Sequence, residues 1–172
     1  MRLLIAFLVL PLAGCSGSTP ASNAAEAPSG LRFALSVDKS VYAVGERVTL
    51  TFTVDNTGTT PVSFELPRGD FEIEVLQQSL PVWLCSRDCI PLPPGDPGPE
   101  VRFVQLLPGQ SLQRERPWDQ LERLPDNRLV AVNAGVYTAS AWLIPLKIGD
   151  RSFSRSEAEA ALRAPPITVT VQ

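Results

Sequence analysis

Residues 46–56 read ERVTLTFTVDN, and their alternation constrains the fold more than any other stretch of the chain. Val48, Leu50, Phe52 and Val54 are apolar, while Thr49, Thr51, Thr53 and Asp55 between them are polar. A period of two is what a strand with one buried face produces, and β-branched residues suit a pleated surface. Gly45 precedes the run, and Asn56, Thr57 and Gly58 close it. It is expected to be the central strand of a β-sandwich.

The same pattern recurs. Leu31, Phe33, Leu35 and Val37 alternate, as do Phe71, Ile73 and Val75, with Glu72 and Glu74 placed on a charged, solvated outer face. Residues 61–66 begin on Pro61, which suits an edge strand. Further strands are expected at 81–84, 101–106, 111–116, 135–142 and 167–171. Ser154 and Glu157 stand at capping-box spacing before Ala158, Ala160, Ala161 and Leu162, which predicts one short helix near the C-terminus. Residues 118–128 read as an irregular polar segment. The expected fold is all-β: an immunoglobulin-like sandwich of about 8–9 antiparallel strands over residues 31–172.

What comes before residue 31 reads as an address. Met1 and Arg2 form a short positive region, and residues 3–12 are nearly all apolar, too short to span a bilayer. Leu12, Ala13, Gly14 and Cys15 resemble the bacterial lipobox, which implies a signal peptide over residues 1–14 and lipidation of Cys15. An ordinary secretory signal with a chance cysteine is the alternative. Acyl chains contribute about 0.8 kcal/mol per buried methylene, enough in pairs or triples to hold a soluble domain on a membrane. Residues 15–30, small and polar, read as a flexible tether. The expected location is a bacterial cell envelope, as a membrane-anchored lipoprotein facing the periplasm or the exterior.

The chain has no histidine and its one methionine is Met1. That removes Ser-His-Asp and Cys-His nucleophile systems, histidine-based metal sites and thioether copper sites. A formal net charge of −3 with no basic run argues against nucleic acid as a partner. No cofactor is expected, and no enzyme. Trp83, Trp118 and Trp142 fit core or sheet-edge packing. The Arg68-Gly69-Asp70 tripeptide reads as a turn, and the S-x-x-K spacing of Ser36 and Lys39 falls at a strand end rather than a helix start.

With Cys15 lipidated, Cys85 and Cys89 remain, and in an exported protein such a pair reads as a disulfide stapling a loop. Residues 85–100, CSRDCIPLPPGDPGPE, are the best candidate contact surface, since proline and a crosslink lower the entropy lost on binding. Arg87, Asp88, Ile90 and Leu92 are its candidate partner-binding residues; a variable surface insertion is the competing reading.

Several short motifs then occur in order: Tyr42-x-x-Gly45-Glu46, Val54-x-Asn56, Phe71-x-Ile73-x-Val75, Val82-Trp83, residues 107–112 (LPGQSL), Trp118-Asp119 and Gly135-x-Tyr137-Thr138. In that order and spacing the chain resembles the BsuPI-type intracellular proteinase inhibitor domain, over roughly residues 31–143. The resemblance implies a β-sandwich and, from the founding inhibitor, a serine protease as protein partner. Two departures stand beside it: this chain carries an export signal, and it inserts the cysteine-bearing loop after Trp83. The functional expectation is a lipid-anchored, non-catalytic protein-binding domain, with protease inhibition or regulation as its first concrete form. An envelope structural or assembly lipoprotein docking partners through a sheet edge or loop is the alternative.

Overall fold

The computed structural model describes residues 30–88 and 101–172, together with the backbone of 22–26. In chain order its strands are β1 (Ser22–Glu26), β2 (Leu31–Val37), β3 (Val41–Tyr42), β4 (Val48–Asn56), β5 (Val62–Leu66), β6 (Phe71–Gln77), β7 (Leu80–Leu84), β8 (Arg102–Leu106) and β9 (Ser111–Trp118). They continue as β10 (Leu121–Arg123), β11 (Leu129–Ala131), β12 (Gly135–Leu143), β13 (Lys147–Ile148), β14 (Arg151–Ser152) and β15 (Ile167–Val171). A helical turn, α1 (Cys85–Asp88), follows β7, and α2 (Arg155–Ala161) precedes β15.

One sheet has the order β1-β2-β4-β9 and the opposing sheet β3-β15-β12-β6-β7. A four-stranded sheet, β14-β13-β5-β8, and the β10-β11 hairpin complete the described residues. The alternating faces predicted from sequence are the ones that meet. Val48, Leu50, Phe52 and Val54 are fully buried, against Leu31, Phe33 and Leu35 from β2 and Ile73, Val75, Tyr137 and Val169 from the opposite sheet. Phe33 and Phe52 stack at 6.3 Å, and Phe52 stacks on Phe71 across the sandwich at the same distance. Trp118 meets Tyr137 edge-on at 5.2 Å, again between sheets. All three tryptophans are buried, as packing residues should be.

Two features make the sandwich immunoglobulin-like. The short β3 runs parallel to β15, with Val41 opposite Thr170 and Tyr42 opposite Val171, so the chain crosses from the first sheet to the second after β2. The Tyr137 hydroxyl donates to the Asn133 carbonyl at 2.6 Å, four residues back, which is the tyrosine corner of such folds.

The motif pieces turn out to be corner-makers. Asn56 is buried and satisfied throughout: Nδ2 donates to the Thr60 and Leu106 carbonyls, and Oδ1 accepts from the Gly58 N–H. Its backbone joins the turn at residues 107–110, where Gly109 N–H donates to Asn56 O and Asn56 N–H to Gln110 O. Pro108 followed by Gly109 at φ 79° makes that turn, since only glycine takes such a φ without strain. Gln120 accepts from the Gly45 N–H and donates to the Ala43 carbonyl, locking the Tyr42-x-x-Gly45-Glu46 motif to the segment after Trp118.

The structure differs from expectation in several places. β5 is an interior strand, flanked by β13 and β8, because Pro61 lies just outside it and removes no ladder bond. Glu72 is buried rather than solvated: α2 lies over that face, Glu72 accepts from Arg155 and from the Ser86 N–H, and Glu74 pairs with Arg163. Five residues of the stretch read as tether form β1, paired in register from Ser22 opposite Ser36 to Glu26 opposite Arg32. Backbone ladder bonds need no apolar periodicity, so nothing in the side-chain pattern announced it. The polar segment after Trp118 contains the β10-β11 hairpin. Among the described residues nine strands of five residues or more follow residue 30, namely β2, β4 to β9, β12 and β15; the remainder there are two- and three-residue pairings.

Candidate functional site

The corner after β7 carries the sequence-predicted loop residues. Within α1, Cys85 is buried, Arg87 is partly exposed and Asp88 is turned inward. Asp88 accepts from the Leu84 N–H at 3.0 Å, from Arg87 Nη2 at 2.9 Å and from Arg123 Nε on β10 at 2.8 Å. Burial pushes its carboxyl up, but those hydrogen bonds outweigh burial and hold it below the usual carboxylate value. Asp88 therefore anchors the loop instead of presenting it: a carboxylate with this many donors is more stable inside than displayed. Ile90, Leu92, Cys89 and the Cys85–Cys89 pairing lie outside the described residues, as does Cys15.

Beside this corner a groove of about 250 Å³ opens between the end of β9 and the β7–α1 and β10–β11 segments. Trp83 and Trp118 form its walls, Leu129 its exposed rim, and Arg116 and Arg123 with Asp88 and Asp119 its polar side. Arg116 carries its guanidinium over the Phe71 ring at 4.8 Å and donates to the Glu115 carbonyl at 2.7 Å. One step along the same side, Arg114 of β9 and Arg102 of β8 both reach buried Asp70, at 2.7 and 2.9 Å. Asp70 is thus the node that ties β8 and β9 to the start of β6. It also settles the tripeptide at residues 68–70, whose aspartate is buried and cannot be displayed.

The second surface is an edge that the sequence pattern did not single out. Among the described residues β8 ends its sheet, paired with β5 from Leu66 opposite Arg102 to Val62 opposite Leu106. Phe103 projects from it with 78% of its surface exposed, and Val101 and Leu107 flank the strand as further exposed apolar residues. A shallow cleft of about 340 Å³ lies against this face, lined by Phe103, Gln105, Ser63, Glu65 and Gly149. Sheet edges in soluble proteins are usually blunted by charge, proline or a covering segment, and an edge that no described strand covers, carrying an aromatic, is a candidate for strand addition. The signal available in the sequence was Phe103 itself, out of phase with inward Val104 and Leu106; it could only be weighed once β8 was known to be an edge.

Among the described residues no three His, Cys, Asp or Glu side chains are grouped so as to hold a metal ion. No helix of the described residues is long and apolar enough to cross a membrane. Ser36 lies on β2 with its hydroxyl directed to the Thr51 carbonyl, and Lys39 pairs with Glu46, so the two make no nucleophile–base pair.

No protein-family model matches the chain, and no curated protein matches it. Among solved structures, a β-glucosidase from Listeria innocua aligns over 92% of this chain and 17% of its own, at 12% identity and a TM-score of 0.41. The β-glucosidase EmGH1 from Erythrobacter marinus aligns over 92% and 16%, at 15% identity and a TM-score of 0.42. The CARDB domain of the PF1109 protein from Pyrococcus furiosus aligns over 94% of this chain and 100% of its own, at 12% identity and a TM-score of 0.37. This chain spans about a sixth of the length of those two β-glucosidases. At such scores the likenesses carry no argument about activity.

Proposed function

We propose that this chain is a lipid-anchored, non-catalytic protein-binding module of a bacterial cell envelope, which takes an extended segment of its partner as an added strand on β8. The observation that carries the reading is Phe103, 78% exposed on the edge strand of a four-stranded sheet. Strand addition would draw its affinity from main-chain hydrogen bonds and its selectivity from the side chain packed on Phe103 and into the adjoining cleft. The anchor at Cys15 and the export signal supply the location. The test is co-purification from detergent-solubilised envelopes of the full chain, compared with Phe103→Asp and Val104→Pro. A partner held by the unaltered chain and lost from both variants supports β8 as the docking strand. A partner profile identical in all three overturns it.

Protease inhibition, the form suggested by the resemblance to BsuPI-type domains, is favoured by a separate observation. Asp88 fixes the start of the proline-rich stretch through donors from three residues, Leu84, Arg87 and Arg123, and rigid loop bases are what inhibitor loops need. Titrating the chain against subtilisin-like and trypsin-like proteases tests this. Saturable, stoichiometric loss of activity that vanishes when residues 89–100 are replaced by a short turn supports it, and unchanged protease activity at micromolar chain rejects it.

A further inference from the structure

The exposed large apolar side chains of the described residues fall mainly at two opposite ends of the sandwich. Val101, Phe103 and Leu107 accompany β8, which meets the far end of β4 where Asn56 Nδ2 donates to the Leu106 carbonyl. Val44, Leu80 and Val136, each more than half exposed, belong to the other end. There the Val44 N–H donates to the Gln172 carbonyl, Val136 lies opposite Thr170 next to the end of β15, and Leu80 lies opposite Gln77 at the close of β6. The N-terminal segment joins at this same end. β1 starts with Ser22 opposite Ser36, one residue before β2 ends at Val37, and Val44 follows only seven residues after Val37. Six residues separate Ser22 from Cys15. At full extension such a length reaches about 25 Å at most.

We propose that this end of the sandwich rests on a lipid bilayer, with Val44, Leu80 and Val136 entering its interface, so that β8 faces away from the membrane. This orientation rests on the lipid anchor at Cys15 proposed above, and adds which surface the anchor brings down. An anchor within about 25 Å of Ser22 keeps this end beside the bilayer at high effective concentration. A few apolar side chains then suffice for a contact that they could not sustain alone. Bringing β8 to the bilayer instead would require the tether to double back along β2. Charge does not draw the surface down. Lys39 is paired with Glu46 and Arg47 with Asp119, while Asp38, which accepts from the Tyr42 hydroxyl, and Glu122, beside Tyr137, add two further carboxylates. Glu115 and Arg116, further along β9, cancel. The contact is therefore apolar and needs no anionic lipid.

The experiment uses the full chain purified from bacterial membranes in non-ionic detergent and reconstituted into phosphatidylcholine vesicles, with and without bromine-labelled acyl chains. Trp83, Trp118 and Trp142 are buried, so an added tryptophan reports surface contact. Val136→Trp and Leu80→Trp should each add emission that shifts to the blue on reconstitution and falls about twofold in brominated vesicles. Phe103→Trp should add emission that brominated lipid leaves unchanged. Val44→Asp, placed in the Val136→Trp chain, should lessen the quenching, and added phosphatidylglycerol should not increase it. The proposal is overturned by unquenched emission at both positions, which would leave this end to a protein partner or to water. Equal quenching of Phe103→Trp overturns it as well, since the chain would then have no preferred orientation. So does quenching undiminished by Val44→Asp, or quenching that requires phosphatidylglycerol. The intact mass of the purified chain separates the two readings. An acylated chain with unquenched tryptophans refutes the docked end alone, whereas an unacylated chain refutes the anchor and the docked end with it.

Discussion

Asp88 and Asp70 are the side chains on which the open side of the sandwich depends. Each is buried and held by two arginines. Removing the charge from such a site leaves guanidiniums facing an amide, so Asp88→Asn should cost about 3 kcal/mol at pH 7, measured by urea denaturation. The pH dependence has a definite sign. Asp88's carboxyl lies below its unfolded value in the fold, so its stabilisation is complete above the unfolded value and disappears as pH falls through the folded one. The difference between the parent chain and Asp88→Asn should therefore be full at neutral pH and close below about pH 4. Tyr137→Phe removes one buried hydroxyl bond at the tyrosine corner and should cost about 1 kcal/mol, with the T-shaped contact to Trp118 kept. Little of this was visible in the sequence. Asp88 read as a loop contact and Asp70 as part of a turn, because the arginines that reach them from other strands, Arg102 and Arg114 to Asp70 and Arg123 to Asp88, lie 32, 44 and 35 residues away in sequence. Tyr137 and Asn56 were legible as recurring motif positions, but not as the hydrogen-bond hubs they are.

Strand periodicity was the dependable signal at the scale of elements. Alternation located β2, β4, β6 and β15 with their inward faces correct, and capping-box spacing located α2, whose Ser154 and Glu157 bond reciprocally. Ser154→Ala should lower stability by about 1 kcal/mol and loosen α2 from the face holding Glu72 and Glu74. Periodicity could say that those glutamates point away from the core; it could not say that a helix about 80 residues later would cover them. It was blind to β1, β13 and β14, which are too short or too polar to show an alternating apolar face. The turn between β6 and β7 offers a cleaner check. Gln78 and Ser79 both have positive φ, 50° and 68°, as a two-residue hairpin requires, yet neither residue favours it. Replacing them with Asn-Gly should stabilise the chain by about 1 kcal/mol, read as a raised Tm.

For the whole molecule, the order of strands between the two sheets follows from one crossing after β2 and one tyrosine corner before β12, both of which fix an immunoglobulin-like sandwich. That order leaves β8 at the end of its own small sheet among the described residues, with Phe103 outward. The short motifs that make the corners were readable because each is local in sequence. The docking edge was not, since an edge is a property of the assembled sheet. The most direct test of the account is a photo-crosslinking residue at Gln105, next to Phe103 on the exposed face of β8, in the full chain in intact cells. One discrete partner adduct is predicted, abolished by Phe103→Asp in the same chain while its Tm stays unchanged. Adducts that are diffuse, or as strong with Phe103→Asp as without it, would contradict β8 as the binding edge.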